Sequence, residues 1–335
     1  PRKAPFWHDH FTLDGTVALE LPLGEYVFEL ERGPEYGDRS GRFTINRFAD
    51  DRKEVDLRRF VDMSSLGWFS GDLDVRRPVH DVERVIKAED LHVVSLVTWW
   101  NDTDEWGAAA LPEDPLVRFD EDRFYHLMAG GHSRPGAAIH FFNLPSPIKL
   151  DGASEEYPSP MIYIDRARKH QGAWVDLARP YCWDLPMLVA HDAVDSIQIA
   201  HGDLCRDRVL PQTAGKPRDT GLYPGVQGGG RWSQAIYFHL LNCGLRIPPS
   251  AGSGSGVSPN PAGYNRVYVH VDGAFSYPAW WEGLRAGRVV VTNGPLLRPR
   301  VNGELPGHVF RGYEGEELEF EVGLTLSTRE PISYM

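Results

Sequence analysis

The first 66 residues alternate apolar and polar positions in short runs. FTLDGTVALELPLGEYVFELERG is cut by Asp14-Gly15 and by Pro22-Leu23-Gly24, both turn signals, and GRFTINRF and KEVDLRRFVDM add two more alternating segments. Hairpins of this kind predict a small β-sandwich module over 1–66. From Gly67 the period changes. GWFSGDLDV predicts a strand, and in VHDVERVIKAEDL the residues Val79, Val82, Val85, Ile86 and Leu91 recur at helical spacing. A buried strand, HVVSLVTWW, and an acidic loop, NDTDEW, follow. AAIHFFNL, PMIYIDRARKH, QGAWVDLA, PMLVAHDAV and DSIQIAHGDL continue the alternation of strands and helices. RWSQAIYFHLLNCG is an amphipathic helix that stops at Gly244, YNRVYVHVDGAF a strand, and WWEGLRAGRVVVTNG a short helix with a last strand. Strands alternating with helices predict a parallel α/β barrel or sheet over 67–297, followed by a β extension over 298–335.

Composition narrows the partners. Asp plus Glu outnumber Lys plus Arg by 47 to 35, a net charge of −12, and nucleic-acid binding needs the opposite balance. No run of 18 apolar residues is present, so no membrane-spanning helix is encoded. Cys182, Cys205 and Cys243 lie far apart with no metal-binding spacing and are expected as three buried thiols or as one disulfide with a spare thiol. The chain begins at Pro1 and ends in what resembles the start of another strand. Both ends read as cut, and the expected location is secreted or periplasmic, with the signal lost along with the start. Nothing in the sequence indicates an oligomeric state; the expected partner is a small molecule or glycan.

In α/β barrels the working groups stand at the C-terminal ends of the strands. In GDLDVRRP, strand alternation puts Asp72, Asp74 and Arg76 on one face, and such charges are costly to bury unpaired. Either they form an internal ion pair or they offer a substrate-facing carboxylate held by an arginine. VTWWNDTDEW places Trp99 and Trp100 at a strand end, as core or as a stacking wall for a flat or sugar-like ligand, with Asn101 beside them. In AHGDLCRD, His201 and Asp203 form a couple suited to proton transfer, to metal ligation or to a structural hydrogen bond. His132 and His140, in GGHSRPGAAIH, follow glycines and are expected within reach of a site. The loop SAGSGSGVSPNPAGYNR offers Tyr264, Asn265 and Arg266 as contacts over a pocket. PYCWDLP, with Trp183 and Asp184 between prolines, is expected as a structural loop. No phosphate-loop, dinucleotide, nucleophile-elbow or zinc-protease fingerprint is present.

GWFSGDLDVRRP, AEDLHVVSLVTWWN, LLNCGLRIPPSAGSGSG, NPAGYNRVYVHVDG and AGRVVVTNGPLL, in that order over about 55–300, resemble the CehA/McbA family of metallohydrolases, a branch of the PHP-type, amidohydrolase-like barrels. The β segment before them resembles the domain that often precedes such barrels. The resemblance implies a PHP-like distorted (β/α)7 barrel, a divalent-metal site and hydrolysis of ester, carbamate or phosphoester bonds. The family pattern GDLHxH carries two imidazoles where this chain has Asp74 and Arg76. TDHN after the second strand is here Thr98-Trp99-Trp100-Asn101, and Trp174 stands where a further ligating histidine is expected. A guanidinium repels a divalent ion and an indole has no lone pair to give.

Three readings follow. The first is a hydrolase on a rebuilt, metal-poor site with no cofactor, in which Asp74 or Asp203 acts as acid or base, His201 assists, Arg76 holds an anionic group and Trp99 and Trp100 form the wall of a carbohydrate-like site. The second is a metal-dependent hydrolase with altered ligands, a single divalent ion on Asp74, Asp203 and His201. The third is an inactive barrel that serves binding or assembly.

Overall fold

The computed structural model describes residues 6–47, 52–150, 157–212 and 215–332. At its centre is an eleven-stranded sheet. Nine strands form its continuous path: β1 (Trp68–Val75), β2 (Val93–Trp100), β3 (Phe124–Ser133), β4 (Ala138–Phe142), β5 (Trp174–Leu177), β6 (Ser196–Ala200), β7 (Pro249–Ala251), β8 (Arg266–His270) and β9 (Val289–Thr292). Their spatial order is β7-β6-β5-β4-β3-β2-β1-β8-β9, with Thr103–Asp104 and Leu116–Arg118 added beside β2 and β3. The last residues of β1 turn from β8 to the segment after β7: Gly254 donates its amide to Asp74 O at 2.8 Å and Arg76 to Ser255 O at 2.7 Å. That contact nearly closes the sheet into a barrel.

The helices are α1 (Val79–Glu89), α2 (Met161–Ala167), α3 (Leu185–Ala190), α4 (Gly228–Asn242) and α5 (Tyr277–Arg285). Helix α1 buries Val82, Val85 and Ile86 and stops at Asp90, whose left-handed backbone (φ 53°) turns its amide back onto Ile86 O and Lys87 O. Helix α5 is capped by the Ser276 side chain, which accepts from the Ala279 amide.

The all-parallel succession expected from the alternation does not form, and the distorted (β/α)7 arrangement that the resemblance implies is not confirmed. β1–β2, β2–β3, β5–β6 and β6–β7 are parallel, but β3–β4, β4–β5, β1–β8 and β8–β9 are antiparallel. Between β3 and β4 the chain has residues 134–137 only, closed by an Arg134 N to Ala137 O bond, too short for the crossover a parallel pair needs. The N-terminal sandwich is likewise not seen among the described residues. Gly24–Leu30 and Arg39–Ile45 form a separate two-stranded sheet with Val27 exposed, and Phe6–Trp7 pairs only with His10–Phe11. Leu296–Val301 pairs with Val322–Ser327 as a further hairpin. Buried Glu35 links the N-terminal segment to the barrel, accepting from Arg59, the Met63 amide and the Tyr268 hydroxyl of β8. Cys182 and Cys205 are buried, free thiols, and Cys243 is a free, exposed one.

Inside the barrel the inward positions stack in two layers. The lower is aromatic and aliphatic: Phe69, Leu73, Phe142 and Trp174 meet Trp280 and Trp281 of α5. Gly71 is glycine for a reason of space, since a Cβ there would lie 2.4 Å from the Trp280 ring. The upper layer is polar.

Candidate functional site

The polar layer begins at the end of β1. Alternation alone would put Asp72 and Asp74 on one face, but pairing with β2 shifts register between Asp72 and Val75 and the two carboxylates part. Asp72 turns into the loop after β7 and accepts three backbone amides, from Asp74 at 3.0 Å, Ser253 at 2.9 Å and Gly263 at 2.6 Å. Burial pushes its carboxyl up to about 6, against the pull of these donors. It is a clamp on the loop.

Asp74 faces the barrel mouth. Arg76 Nε donates to its Oδ1 at 2.9 Å, and His140 Nε2 of β4 lies 3.9 Å from its Oδ2 and 3.4 Å from Arg76 Nη2. Burial raises the Asp74 pKa, but the charges of Arg76 and His140 outweigh it and leave the carboxyl below the ordinary range. Arg76 lies over the Trp100 ring, 5.2 Å from its centroid, so that indole is covered by a cation. Behind His140, its Nδ1 is 3.3 Å from Gln198 Nε2, which donates to Asp176 Oδ2 at 2.7 Å; Ser196 and Ser250 donate to the other Asp176 oxygen. Burial drives Asp176 up to about 6 and His140 down to about 4.

A second cluster stands at the ends of β5 and β6. His201 Nε2 is 3.1 Å from Ser233 Oγ of α4, and its Nδ1 is 3.7 Å from Asp203 Oδ2. Arg179 grips Asp203 with Nε at 2.9 Å and Nη2 at 3.2 Å, and the Tyr181 hydroxyl donates to it as well. Burial pushes His201 down to about 4, against the pull of Asp203. Burial pushes the Asp203 carboxyl upward, but His201, Arg179 and Tyr181 prevail and hold it below its ordinary value. Arg179 also contributes positive charge at Asp74 and His140, so the two clusters share one field. Beside this cluster is a cavity of about 240 Å³, with Tyr181, His201, Asp203, Leu204, Gly229 and Trp232 in its wall.

The other expected contacts lie elsewhere. Trp99 is core, stacked on Phe141 at 6.0 Å, and Gly130 makes room for it: a Cβ there would fall 1.8 Å from the indole. The stacking wall expected from Trp99 and Trp100 therefore does not form. Asn101 joins two strand ends, accepting from the Ser133 amide at 2.9 Å and donating to Ser133 O. Asn265 is buried and donates to His201 O at 2.9 Å and Leu204 O at 3.1 Å, which makes it a support for the second cluster. Arg266 is spent on Gly263 O and Glu89 O. Tyr264 lies under the Arg206 guanidinium. Trp174 belongs to the aromatic floor and donates to Ser196 Oγ at 2.7 Å. Trp183 and Asp184 stand at the entry of α3, in the loop expected as structural, and Asp184 pairs with Arg134.

A divalent ion does not fit the donor set at the mouth. Asp74 and His140 converge, but the Arg76 guanidinium is already bonded to both, and Asp176 already accepts from three donors. No group of three His, Cys, Asp or Glu suited to an ion occurs among the described residues. Asp203 is likewise engaged by Tyr181 and by the Arg179 guanidinium, whose charge opposes an ion there.

Comparison with known families and with curated proteins found no match. Among solved structures, the chain is similar to a two-domain protein from Bacteroides vulgatus containing a predicted PHP-like metal-dependent phosphoesterase, at 14% identity over 73% of this chain and 69% of that one, with a TM-score of 0.40. It is similar also to PsfC from Pseudomonas syringae, at 13% identity over 63% of this chain and 85% of that one, with a TM-score of 0.41. Among the described residues no helix is long and apolar enough to cross a membrane.

Proposed function

We propose that the chain is a hydrolase on a PHP-like barrel whose working groups have moved off the barrel axis to the His201–Asp203 couple. The observation that carries this reading is the buried imidazole in the wall of the cavity, with a carboxylate on its Nδ1 side and no hydrogen-bond partner at that nitrogen. Burial keeps His201 neutral near pH 7, so it is able to accept a proton, and the ionised Asp203 stabilises the imidazolium that results. Arg179 and Tyr181 fix the carboxylate. Arg76, bonded to Asp74 and His140, supplies at the axis the positive charge that an ion would otherwise supply. A carbohydrate-like substrate draws no support from Trp99 and Trp100. The cavity suits a small molecule.

The test is a panel of nitrophenyl esters, carbamates, glycosides and phosphoesters offered to wild type and to Asp203→Asn, with elemental analysis of the same wild-type preparation. The expected result is turnover of at least one class, lowered about 10²-fold or more in the variant, as for loss of an acid–base partner. A full equivalent of Zn, Mn or Fe needed for that turnover would favour the reading with altered metal ligands. A second reading, an inactive barrel used for binding or assembly, is favoured by the plugging of the mouth: Asp74, His140 and Asp176 are all buried. Silence across the panel would favour it.

A further inference from the structure

The cavity beside His201 carries a positive end. Arg218 stands half-buried in its wall, and no carboxylate pairs with it among the described residues. Of its guanidinium nitrogens only Nη1 has a partner there, the Gly225 carbonyl at 3.2 Å. The guanidinium lies at the start of α4: a Cβ on Gly228 would fall 3.1 Å from Arg218 Nη1. Helix α4 opens on Gly228-Gly229-Gly230, and no side chain caps it. Gly228 donates to Gly225 O at 3.3 Å, but the Gly229 and Gly230 amides meet no acceptor among the described residues. Gly229 is buried in the cavity wall, where a Cβ would lie 2.8 Å from Val209 Cγ2. Open amides and the helix dipole favour an anion at this end, as the guanidinium does.

A cation and an uncapped helix start do not by themselves require a ligand. His201 supplies the independent sign. It is 2% exposed, and its Nδ1 has no hydrogen-bond partner. Its Nε2 edge is turned to Ser233, which is not in the cavity wall, and its Nδ1 edge to Asp203, which is. A buried polar nitrogen thus faces the cavity unbonded, a state that a ligand atom relieves. Asp203 limits the charge that such a ligand carries. Its own carboxylate is matched by Arg179, so Arg218 and the start of α4 remain to balance one negative charge. A doubly charged group would face the Asp203 carboxylate across the same cavity. Leu204, Val209 and Trp232 offer the rest of the wall to an apolar body.

We propose that this cavity binds a small molecule with an apolar body and a single carboxylate, held by the Arg218 guanidinium and the Gly229 amide, with a polar atom of the body at His201. The proposal rests on the reading of His201–Asp203 as the acid–base couple only in taking this cavity as the substrate site. Arg218 and Gly229 are binding groups here, and His201 is the one that meets the reacting end.

Calorimetric titration of the full chain with hexanoate, with its neutral isostere hexanamide and with inorganic phosphate tests this, and the amide chemical shift of Gly229 reports where the probe sits. The expected result is saturable binding of hexanoate, about 10-fold or more tighter than of hexanamide or phosphate, with the Gly229 amide proton moved by hexanoate. Arg218→Gln is expected to weaken hexanoate by about 10-fold and to leave hexanamide unchanged. Equal binding of hexanoate and hexanamide, tighter binding of phosphate, an unmoved Gly229 amide or no saturable binding at all overturns the proposal. The comparison of probes is made on the wild-type chain, so it does not depend on the folding of a variant. Turnover of the nitrophenyl panel without carboxylate binding removes this site and leaves the His201–Asp203 couple. Hexanoate binding that needs Arg218, with a silent panel, keeps the site and removes the couple.

Discussion

Arg76 donates its Nε–H to the Asp74 carboxylate two residues back in the chain, at 2.9 Å, with both side chains largely buried. Removing one member of such a pair strands the other charge at low dielectric, which costs about 3–5 kcal/mol. Arg76→Ala is therefore expected to lower stability by about that amount, and Arg76→Ala with Asp74→Asn by clearly less than the sum of the two single changes. Urea unfolding of the four proteins in a double-mutant cycle checks this. Additive effects within about 0.5 kcal/mol would mean that the pair is not coupled.

Asp72 satisfies three buried amides from two segments of the chain. Each stranded amide costs about 1–3 kcal/mol. Asp72→Ala should cost about 3 kcal/mol or more and should loosen the loop 253–263 first. Hydrogen exchange at Ser253 and Gly263 reports that loosening. Unchanged protection there would show that the loop is held by other groups.

His140 supplies a pH dependence with a definite sign. Its folded pKa is about 4, against an ordinary value of 6.5, because burial disfavours the imidazolium. As pH falls below 6.5 the unfolded chain takes up the proton and the folded chain does not, so the stability held above pH 6.5 is lost towards pH 4. The stability of wild type minus that of His140→Gln should fall over this window by roughly 3 kcal/mol at most. Asp72 and Asp176, raised to about 6, give the opposite slope in each protein, and the subtraction removes it. A difference that stays flat, or grows towards acid, is the contrary outcome.

Much of the barrel is visible in the hydrophobic pattern. β1, β2, α1, α4 and β8 all fall within segments whose period identifies them. β3 escapes, because RFYHLMAGGHS interrupts its apolar run with His126 and two glycines, and Gly130 is there to admit the Trp99 ring. The antiparallel pairs escape because strand periodicity carries no direction; only the short link at 134–137 hints at one. At the site, the pairing of Asp74 with Arg76 and the His201–Asp203 couple are legible from spacing alone. Asp176, Arg179, Gln198 and Ser233 are not, because they come from other strands and a distant helix and only the closed sheet brings them together. The nearest signal was that QGAWVDLA and DSIQIA place polar residues at inward positions of otherwise apolar strands.

The most direct measurement is the turnover of His201→Gln relative to wild type on the best substrate of the panel, in buffer containing a chelator. If His201 is the base, wild type keeps its rate in chelator and the variant loses about 10²-fold or more with its melting temperature within a few degrees of wild type. A variant that turns over at the wild-type rate, or a wild type silenced by chelator and revived by Zn or Mn, would place the chemistry elsewhere.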